Sequence, residues 1–224
     1  MTAEDWSTVA SLATAVGTLV LAVATFSAVR SGNRTARAAE RSFLVGLRPV
    51  LMASHREDPP LKVNFGDSKW LRIPGNCAVG EIGGGDGSLG PATKDDVIYL
   101  GLSLRNVGNG IAVLHGWHVY DRRPPADEHA PLADFRPHTR DLYIAVGEPG
   151  FWQGAFRDTA DPRYEPTRRV IEERAEWYLD LLYGDHEGGQ RVITRFRIQP
   201  LGDEKALWMA SVSRHWNLDR PDPR

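Results

Sequence analysis

The chain has one long apolar segment near its N-terminus, and it ends just before residue 30. From Val9 to Val29, 21 consecutive residues carry no charge, no proline and no amide side chain. As an α-helix that rises about 1.5 Å per residue, this run is roughly 30 Å long, which matches the hydrocarbon core of a bilayer. We therefore predict one transmembrane helix over this run, preceded by a short tail over residues 1–8. The tail carries Glu4 and Asp5 but no Lys or Arg, which disfavours a cleaved secretory signal peptide and favours a signal anchor.

Basic residues near the predicted transmembrane helix lie on one side of it. None precedes it, whereas five arginines follow within about 20 residues, which is the distance over which such residues set orientation. They are Arg30, Arg34, Arg37, Arg41 and Arg48. Because Lys and Arg are retained in the cytoplasm, we predict a single-pass protein of the cell membrane with its N-terminus outside and its C-terminal domain in the cytoplasm. The inverted topology is the alternative, and it would place the domain outside the cytoplasm.

The first four of these arginines belong to a predicted basic juxtamembrane helix over residues 30–47. They are spaced four, three and four residues apart, which places them on one face of a helix. Such a face binds anionic lipid head groups, so Arg30, Arg34, Arg37 and Arg41 are the predicted lipid contacts. Arginines that only fix the topology are the favoured interpretation, and both roles can hold together.

The predicted transmembrane helix also carries a pattern of small residues. Ala13 and Gly17 are four positions apart, with Ala10, Thr14 and Thr18 nearby. Small residues at this spacing let two transmembrane helices approach closely. We therefore predict self-association through Ala13 and Gly17, although small residues are common in such helices for other reasons.

From Pro49 onwards the chain breaks into short apolar stretches with alternation or β-branched residues, which is typical of antiparallel sheets. Pro49 is expected to end the preceding helix, because the residue before a proline is biased out of the helical region. We predict a mainly β fold with an immunoglobulin-like β-sandwich over residues 48–217 and a C-terminal tail over residues 218–224. The predicted strands are Val50–Ser54, Leu61–Phe65, Val97–Arg105, Ile111–Tyr120, Leu142–Val146, Trp177–Tyr183, Arg191–Ile198 and Trp208–Trp216.

Turn residues and alternation refine this picture. In the strand that contains Ile98, Leu100, Leu102 and Leu104, these side chains share one face, so the opposite face is expected to contact solvent or another layer. The glycine- and asparagine-rich segment 106–110 predicts a hairpin or tight corner. Further predictions are a hairpin at 183–190, a short helix over 166–176, and long loops over 83–96 and 121–139.

Composition argues against a nucleic-acid partner and against sites that need several cysteines. The net charge of −2 gives no global reason to expect a nucleic-acid partner. Only four of the 27 basic residues are lysine, a bias that GC-rich coding produces without selection for binding. Cys77 is the only cysteine, which excludes an intrachain disulfide and a cysteine-based metal cluster.

Each sequence motif that could indicate catalysis or ligand binding either has an ordinary structural explanation or lacks a required part. The run from Gly83 to Gly90 lacks the Lys-Ser/Thr pair and the following helix of a phosphate-binding loop. Asp185-His186-Glu187 has a composition suited to acid–base work, but it lies in a glycine-rich turn. The histidines show no zinc spacing, and no nucleophile elbow occurs. We therefore predict no catalytic, cofactor-binding or metal-binding residues, and we do not expect an enzyme.

Five tryptophans fall in or beside predicted strands. They are Trp117, Trp152, Trp177, Trp208 and Trp216. Most are expected in the core, with Trp117 and Trp177 as first choices. Trp216 lies at the end of the strand pattern; the core is its favoured location, and a possible exposed contact with a partner is the alternative.

Four segments of the chain resemble a group of uncharacterised, actinobacterial-type membrane-anchored proteins with one transmembrane helix and a C-terminal β-sandwich. The segments are 28–34, 47–51, 104–110 and 188–196. The resemblance covers most of the chain and implies architecture, since no catalytic assignment comes with it. The turn at 106–110 also resembles corners in immunoglobulin-like sandwiches, which bears on fold and not on function.

Together these patterns predict a membrane-tethered cytoplasmic β-sandwich that acts as a binding or scaffolding module, for example as a subunit of a membrane complex. Its expected partners are the lipid bilayer and either another protein or a second copy bound through the helix. The rival hypothesis is a membrane-bound hydrolase or small-ligand sensor with a pocket near the 83–96 and 184–190 loops.

Overall fold

The computed structural model describes residues 3–203 and 206–220, and the chain divides into two compact units, residues 1–46 and 47–224. The first unit is one helix, α1 (Ala3–Gly46). Within it, Trp6–Glu40 is long and apolar enough to cross a membrane, with a mean hydropathy of 2.0 in its most apolar window and no part of that window buried. This finding depends on length and composition only. The helix already begins within the predicted tail over residues 1–8, of which residues 1 and 2 lie outside the described residues.

Across its described residues, 47–203 and 206–220, the second unit has eleven strands, one α-helix and a short 3-10 helix. The strands are β1 (Leu51–Ala53), β2 (Leu61–Asn64), β3 (Trp70–Ile73), β4 (Cys77–Ile82), β5 (Ile98–Asn106), β6 (Ala112–Tyr120), β7 (Arg136–Ile144), β8 (Pro149–Phe156), β9 (Trp177–Gly184), β10 (Arg191–Pro200) and β11 (Leu207–Asn217). The helix is α2 (Tyr164–Glu173), and the 3-10 turn is Leu132–Asp134.

Nine strands form one antiparallel sheet in the order β1-β5-β4-β11-β10-β9-β6-β7, with β8 paired to β5. Strand β5 is the branch point, because β4 and β1 share one of its sides while β8 follows the other. The outermost strands are therefore β7 and β8. The sheet curls until these two edges face each other, and Arg140 Nη2 of β7 donates to Gln153 Oε1 of β8 over 2.8 Å. We call the line between β7 and β8 the seam.

The curled sheet encloses the main core, to which all nine of its strands contribute. The alternation predicted from the sequence accounts for this, since Ile98, Leu100, Leu102 and Leu104 all point into the core and are fully buried. Trp117 packs edge-on against Trp152, with ring centres 5.4 Å apart. The prediction that tryptophans form the core is therefore confirmed for these two and for Trp177 and Trp208.

The outer face of the sheet is covered as well. The β2–β3 hairpin lies over β4 and β5, where Val63 and Leu71 pack with Tyr99. The segment after β6 covers β9 and β10, where Phe135 packs with Leu182 and Ile193. Strand β5 is therefore buried on both faces. Its second face was predicted to contact either solvent or another layer, and in the structure it contacts another layer.

Several sequence predictions need correction. The strands β3, β4 and β8 were not predicted, and β7 begins at Arg136 inside the predicted 121–139 loop. Segment 106–110 is a tight corner and not a hairpin, because β6 pairs with β7 and β9 while β5 pairs with other strands. The immunoglobulin-like arrangement of two facing sheets is not confirmed, because one hydrogen-bonded sheet connects nine strands. The hairpin between β9 and β10 and the helix near 166–176 are confirmed.

One buried ion pair fixes the covering segment to the sheet. Arg195 and Asp180 are direct neighbours on β10 and β9, and Arg195 Nε and Nη2 donate to the two carboxylate oxygens over 2.7 and 2.8 Å. Tyr120 donates to the same carboxylate, while the Arg195 guanidinium also donates to the backbone oxygens of Pro125 and Glu128. Both charged side chains are almost fully buried, so each one neutralises the charge of the other in a place that water does not reach.

Replacement of Asp180 by asparagine should strongly destabilise the β domain. The change keeps the shape but leaves the buried Arg195 charge uncompensated, which costs roughly 3–5 kcal/mol. Urea unfolding of the full chain in detergent, followed by tryptophan fluorescence, measures the free energy. The matched control is Glu176→Gln, which breaks the exposed Arg197–Glu176 pair on the same side of the sheet and should change stability little. Equal effects of the two variants would contradict this account.

Candidate functional site: the seam cleft

Strands β7 and β8 touch near the turn that joins them and diverge beyond it, which opens a cleft of about 330 Å³. This volume is at the lower end of the range for small-ligand sites. We call this space the seam cleft. Its lining includes Phe65, Leu89, Trp117, Arg136, His138, Arg140, Leu142, Gln153 and Arg157.

A bulge in β7 shapes one wall of the cleft. Leu142 is paired with Leu114 of β6 and Pro137 with Gly116, so four residues of β7 face only one residue of β6 between these pairs. The extra residues cannot continue the ladder and are displaced from it, as in other β-bulges. The bulge thereby brings His138 and Arg140 to the cleft.

The three arginines of the cleft differ in how far their charges are compensated. Arg136 forms an ion pair with Asp161, and its guanidinium lies 4.6 Å from the Phe156 ring centre and 5.2 Å from that of Trp117. Arg157 Nε donates to Asp67 over 3.3 Å. Arg140, in contrast, is exposed and donates to the neutral amide of Gln153. Guanidinium groups therefore lie on both walls of the cleft, but those of Arg136 and Arg157 are already paired with carboxylates.

His138 lies between these cations and is half-buried. Burial lowers the pKa of His138 to about 4, and the charges of His115 and Arg140 add to this effect. Its imidazole is therefore neutral at physiological pH. The Nε2 atom of His138 is buried and has no hydrogen-bond partner within residues 3–203 and 206–220, which leaves one unused polar group in the wall of the cleft.

These features suit binding of an acceptor-rich group. Guanidinium groups form charge-assisted hydrogen bonds with carboxylates and phosphates, and the aromatic floor around Trp117 adds an apolar surface. In addition, β7 and β8 are the outermost strands of the sheet, and such strands pair with extended peptides. The seam cleft is therefore suited to an extended, acidic segment of a partner or to a small anionic ligand.

The glycine-rich 83–96 loop contributes a small part of this cleft and has a mainly structural role. A side chain at Gly85 would collide with the Tyr99 hydroxyl, and Asp86 N donates to Asp67 O over 2.9 Å. Gly83, Gly84 and Gly87 have positive φ, which glycine adopts without strain. The loop is held by these contacts and leads directly into β5, so the helix of a phosphate-binding loop does not follow it.

The 184–190 hairpin lies at the opposite end of the sheet from this loop. Gly184 pairs with Arg191 at one end of β9 and Trp177 pairs with Ile198 at the other, and seven residues of strand span about 24 Å. One pocket near both loops, as the rival hypothesis requires, is therefore wrong. In the hairpin, Asp185 Oδ1 accepts from Gly189 N over 2.8 Å, which gives this carboxylate a role in the turn.

Trp216 is only 5% exposed, which agrees with the favoured core location and contradicts the alternative of an exposed partner contact. The Arg195 and Arg214 guanidinium groups lie 4.8 and 5.3 Å from its ring centre. The residue is the second-last of β11, one position before the strand ends, and the segment that follows β6 covers this part of the sheet. Sequence periodicity does not reveal such a cover, because the covering segment has no regular pattern.

The predicted sites on α1 are exposed. Ala13 and Gly17 lie on the helix surface, and a Cβ at Gly17 would meet no atom within 4 Å. Arg30, Arg34 and Arg37 are exposed as well, and Arg41 lies within the helix, but its side chain is outside the described part of the chain. Their predicted roles concern lipid and a second helix, and these roles stay predictions.

A second constellation, which we call the clamp, holds the segment that follows α1. The fully buried Asn106 accepts hydrogen bonds from Val50 N and Gly108 N and donates to Gly110 O and Ile144 O. All four bonding positions of its carboxamide are therefore filled. The backbone of residues 47–50 passes so closely that a side chain at Gly108 or Gly110 would collide with it.

The last strand completes the clamp. Arg48 Nη1 donates to Asn217 over 2.8 Å, and both terminal nitrogens of Arg48 contact the Asp219 carboxylate. This bidentate geometry favours the ionised carboxylate, and the Arg48 partner outweighs the effect of burial, so the pKa of Asp219 is lowered. The sequence signals the glycines of the corner but not the segment that they accommodate.

No family model, curated protein or solved structure matches the chain. The resemblance to actinobacterial-type membrane-anchored proteins therefore stays a prediction, as does the absence of catalytic activity.

Replacement of Gly110 by alanine should release residues 47–50 from the clamp. The new methyl group would collide with Leu47 O, so the segment has to move away. Limited chymotrypsin digestion of the full chain in micelles should then cut after Leu47 at least about tenfold faster, because local opening controls proteolysis. Gly189→Ala is the matched control, since a side chain there meets only Asp185 at 3.7 Å. Unchanged cleavage in the Gly110→Ala protein would contradict the role of the clamp.

Proposed function

We propose that the protein is a membrane-tethered binding module in which α1 is the anchor and the seam cleft receives an acidic segment of a protein partner. The observation that carries this proposal is the open cleft between two outermost strands, with guanidinium groups on both walls. Such strands bind peptides through their backbone groups, and the side chains of the cleft select the sequence. A small anionic ligand is the second candidate, which the concave shape of the cleft favours.

The anchor part of the proposal is supported by the length and composition of α1. Its apolar window has a mean hydropathy of 2.0 and is not buried, and lipid would cover this surface. The arginines that follow Val29 orient the helix with the β domain in the cytoplasm. Arg30, Arg34, Arg37 and Arg41 would then contact anionic head groups, and Ala13 and Gly17 would bring two copies together.

Topology reporters test the anchor and its orientation. Alkaline phosphatase fused after residue 60 should remain inactive, because the enzyme requires export, whereas a cytoplasmic reporter at the same position should be active. Replacement of the four juxtamembrane arginines by glutamate, combined with Glu4→Arg and Asp5→Arg, should raise the exported fraction, since basic residues set the orientation. Full phosphatase activity of the unmodified fusion would exclude the cytoplasmic assignment.

Site-specific photocrosslinking tests the cleft. A photoreactive phenylalanine analogue at Thr139, which lines the cleft and is exposed, should give a discrete protein adduct in native membranes. The same analogue at Met209, an exposed position on β11, should give none. Arg140→Glu should reduce the Thr139 adduct at least about fivefold through like-charge repulsion. A lack of adduct at Thr139, or equal adducts at both positions, would refute the binding of a protein partner.

A further inference from the structure

The hydrogen-bond pattern of β5 shows which backbone groups of β8 face the seam. In an antiparallel ladder, a residue directs both its N–H and its C=O to the same side, and the side alternates from one residue to the next. Ser54 N donates to Ser103 O over 3.2 Å on the β1 side, whereas Asn106 N donates to Glu148 O over 3.3 Å on the β8 side. The even-numbered residues of β5 therefore bond to β8, and their partners in the register are the even-numbered residues of β8.

The odd-numbered residues of β8 direct their backbone groups away from β5 and towards the seam. Two of them, Gln153 and Ala155, line the seam cleft and are partly exposed. Neither forms a backbone–backbone hydrogen bond on this side within residues 3–203 and 206–220. The cleft therefore contains free backbone donors and acceptors at every second residue, which is the spacing of a β-ladder.

The next odd-numbered residue, Arg157, already has a partner on this side. Ala92 N donates to Arg157 O over 2.9 Å, so the 83–96 loop pairs with the chain directly after β8. The loop approaches so closely that a side chain at Gly90 would collide with Arg157. One segment of the protein thus already adds to this edge, and the free positions begin at Ala155.

The side chains around these positions define what an added strand must carry. Arg140, which has no carboxylate partner in the described part of the chain, donates to Gln153 Oε1 over 2.8 Å. A strand residue opposite Gln153 has its side chain on the same face, so a carboxylate there would replace the neutral amide and form a charge-assisted hydrogen bond with Arg140. The next residue of the added strand points to the other face. A Cβ at Gly154 on that face would lie 3.1 Å from Trp117, so an apolar side chain suits this place.

We propose that the partner segment binds as an additional strand of the sheet, paired with Gln153 and Ala155 of β8, and that it carries an acidic residue next to an apolar one. This inference rests on the function proposed above and adds the edge and the sequence feature that the partner uses. The edge of β7 is unsuited to the role, because Pro137 lacks a backbone N–H and the bulge at residues 138–141 disrupts the regular spacing of donors and acceptors.

Proline substitution tests this inference in native membranes, with the photoreactive phenylalanine analogue at Thr139 as the probe. Ala155→Pro removes the free N–H but leaves the ladder to β5 intact, and edge strands accept proline where the N–H is not bonded. The Thr139 adduct should decrease at least about fivefold, because a hydrogen bond is lost and the ring occupies the place of the partner's carbonyl. Asp141→Pro, at an exposed position in the β7 bulge, is the matched control and should leave the adduct unchanged.

A second pair of variants decides the case in which Ala155→Pro lowers the urea midpoint of the full chain in detergent. Gln153→Pro and Gln153→Ala both remove the amide that Arg140 contacts, but only proline also removes the N–H. The Thr139 adduct should therefore be at least about fivefold weaker with Gln153→Pro than with Gln153→Ala.

The outcomes separate this inference from the proposed function. Loss of the adduct with Arg140→Glu but with neither proline variant of β8 would mean binding through side chains only, which overturns the inference and leaves the function intact. An equal or larger loss with Asp141→Pro would place the partner on β7 and overturn it as well. A lack of adduct at Thr139 in the otherwise unmodified chain would overturn both.

Discussion

The buried carboxamide of Asn106 holds together the end of the β domain at which the chain arrives from α1. A buried amide must satisfy two donors and two acceptor positions, and any position left empty costs free energy. Asn106 meets this requirement with four partners from three separate segments. One side chain therefore links residues 47–50, the corner after β5 and the turn before β8.

This constraint decides where the glycines must be. The chain from α1 crosses the corner at a distance that leaves no space for a Cβ at Gly108 or Gly110. The Arg48–Asp219 pair then ties the same segment to the end of β11. Residues 47–50 are therefore an integral part of the β domain and cannot move independently of its sheet.

Much of the sheet follows from periodicity, and the rest does not for identifiable reasons. Alternating Ile98 to Leu104 predicts β5 and its core face, because a buried face repeats every two residues. Strands β4 and β8 escaped prediction since glycine interrupts them at Gly80 and at Gly154, where the neighbouring Ile171 and Trp152 side chains take up the space. Turn composition gave the β9–β10 hairpin, which depends only on residues close in sequence.

The site was less predictable than the fold, because its residues meet only through long-range pairing. Arg136 and Arg140 belong to a stretch with Pro137 that resembles a loop, and nothing local shows that Gln153 and Arg157 lie opposite. The alternative of an exposed Trp216 was left open for a similar reason, since its cover comes from a segment without periodicity. A pattern reports which face of a strand is apolar, but not which segment later covers it.

The seam raises the question of why a curled sheet stops short of closing. Open edges invite unwanted pairing, and proteins protect them with charge, proline and bulges. All three occur here: Arg136 and Arg140 project from β7, Pro137 and Pro149 remove backbone donors, and the bulge at residues 138–141 breaks the ladder. The same devices that prevent closure also leave a cleft with arginines on both walls. Because Arg136 and Arg157 already have carboxylate partners, a partner that fills the cleft would have to offer an acceptor to Arg140 as well as to any backbone groups that it pairs with.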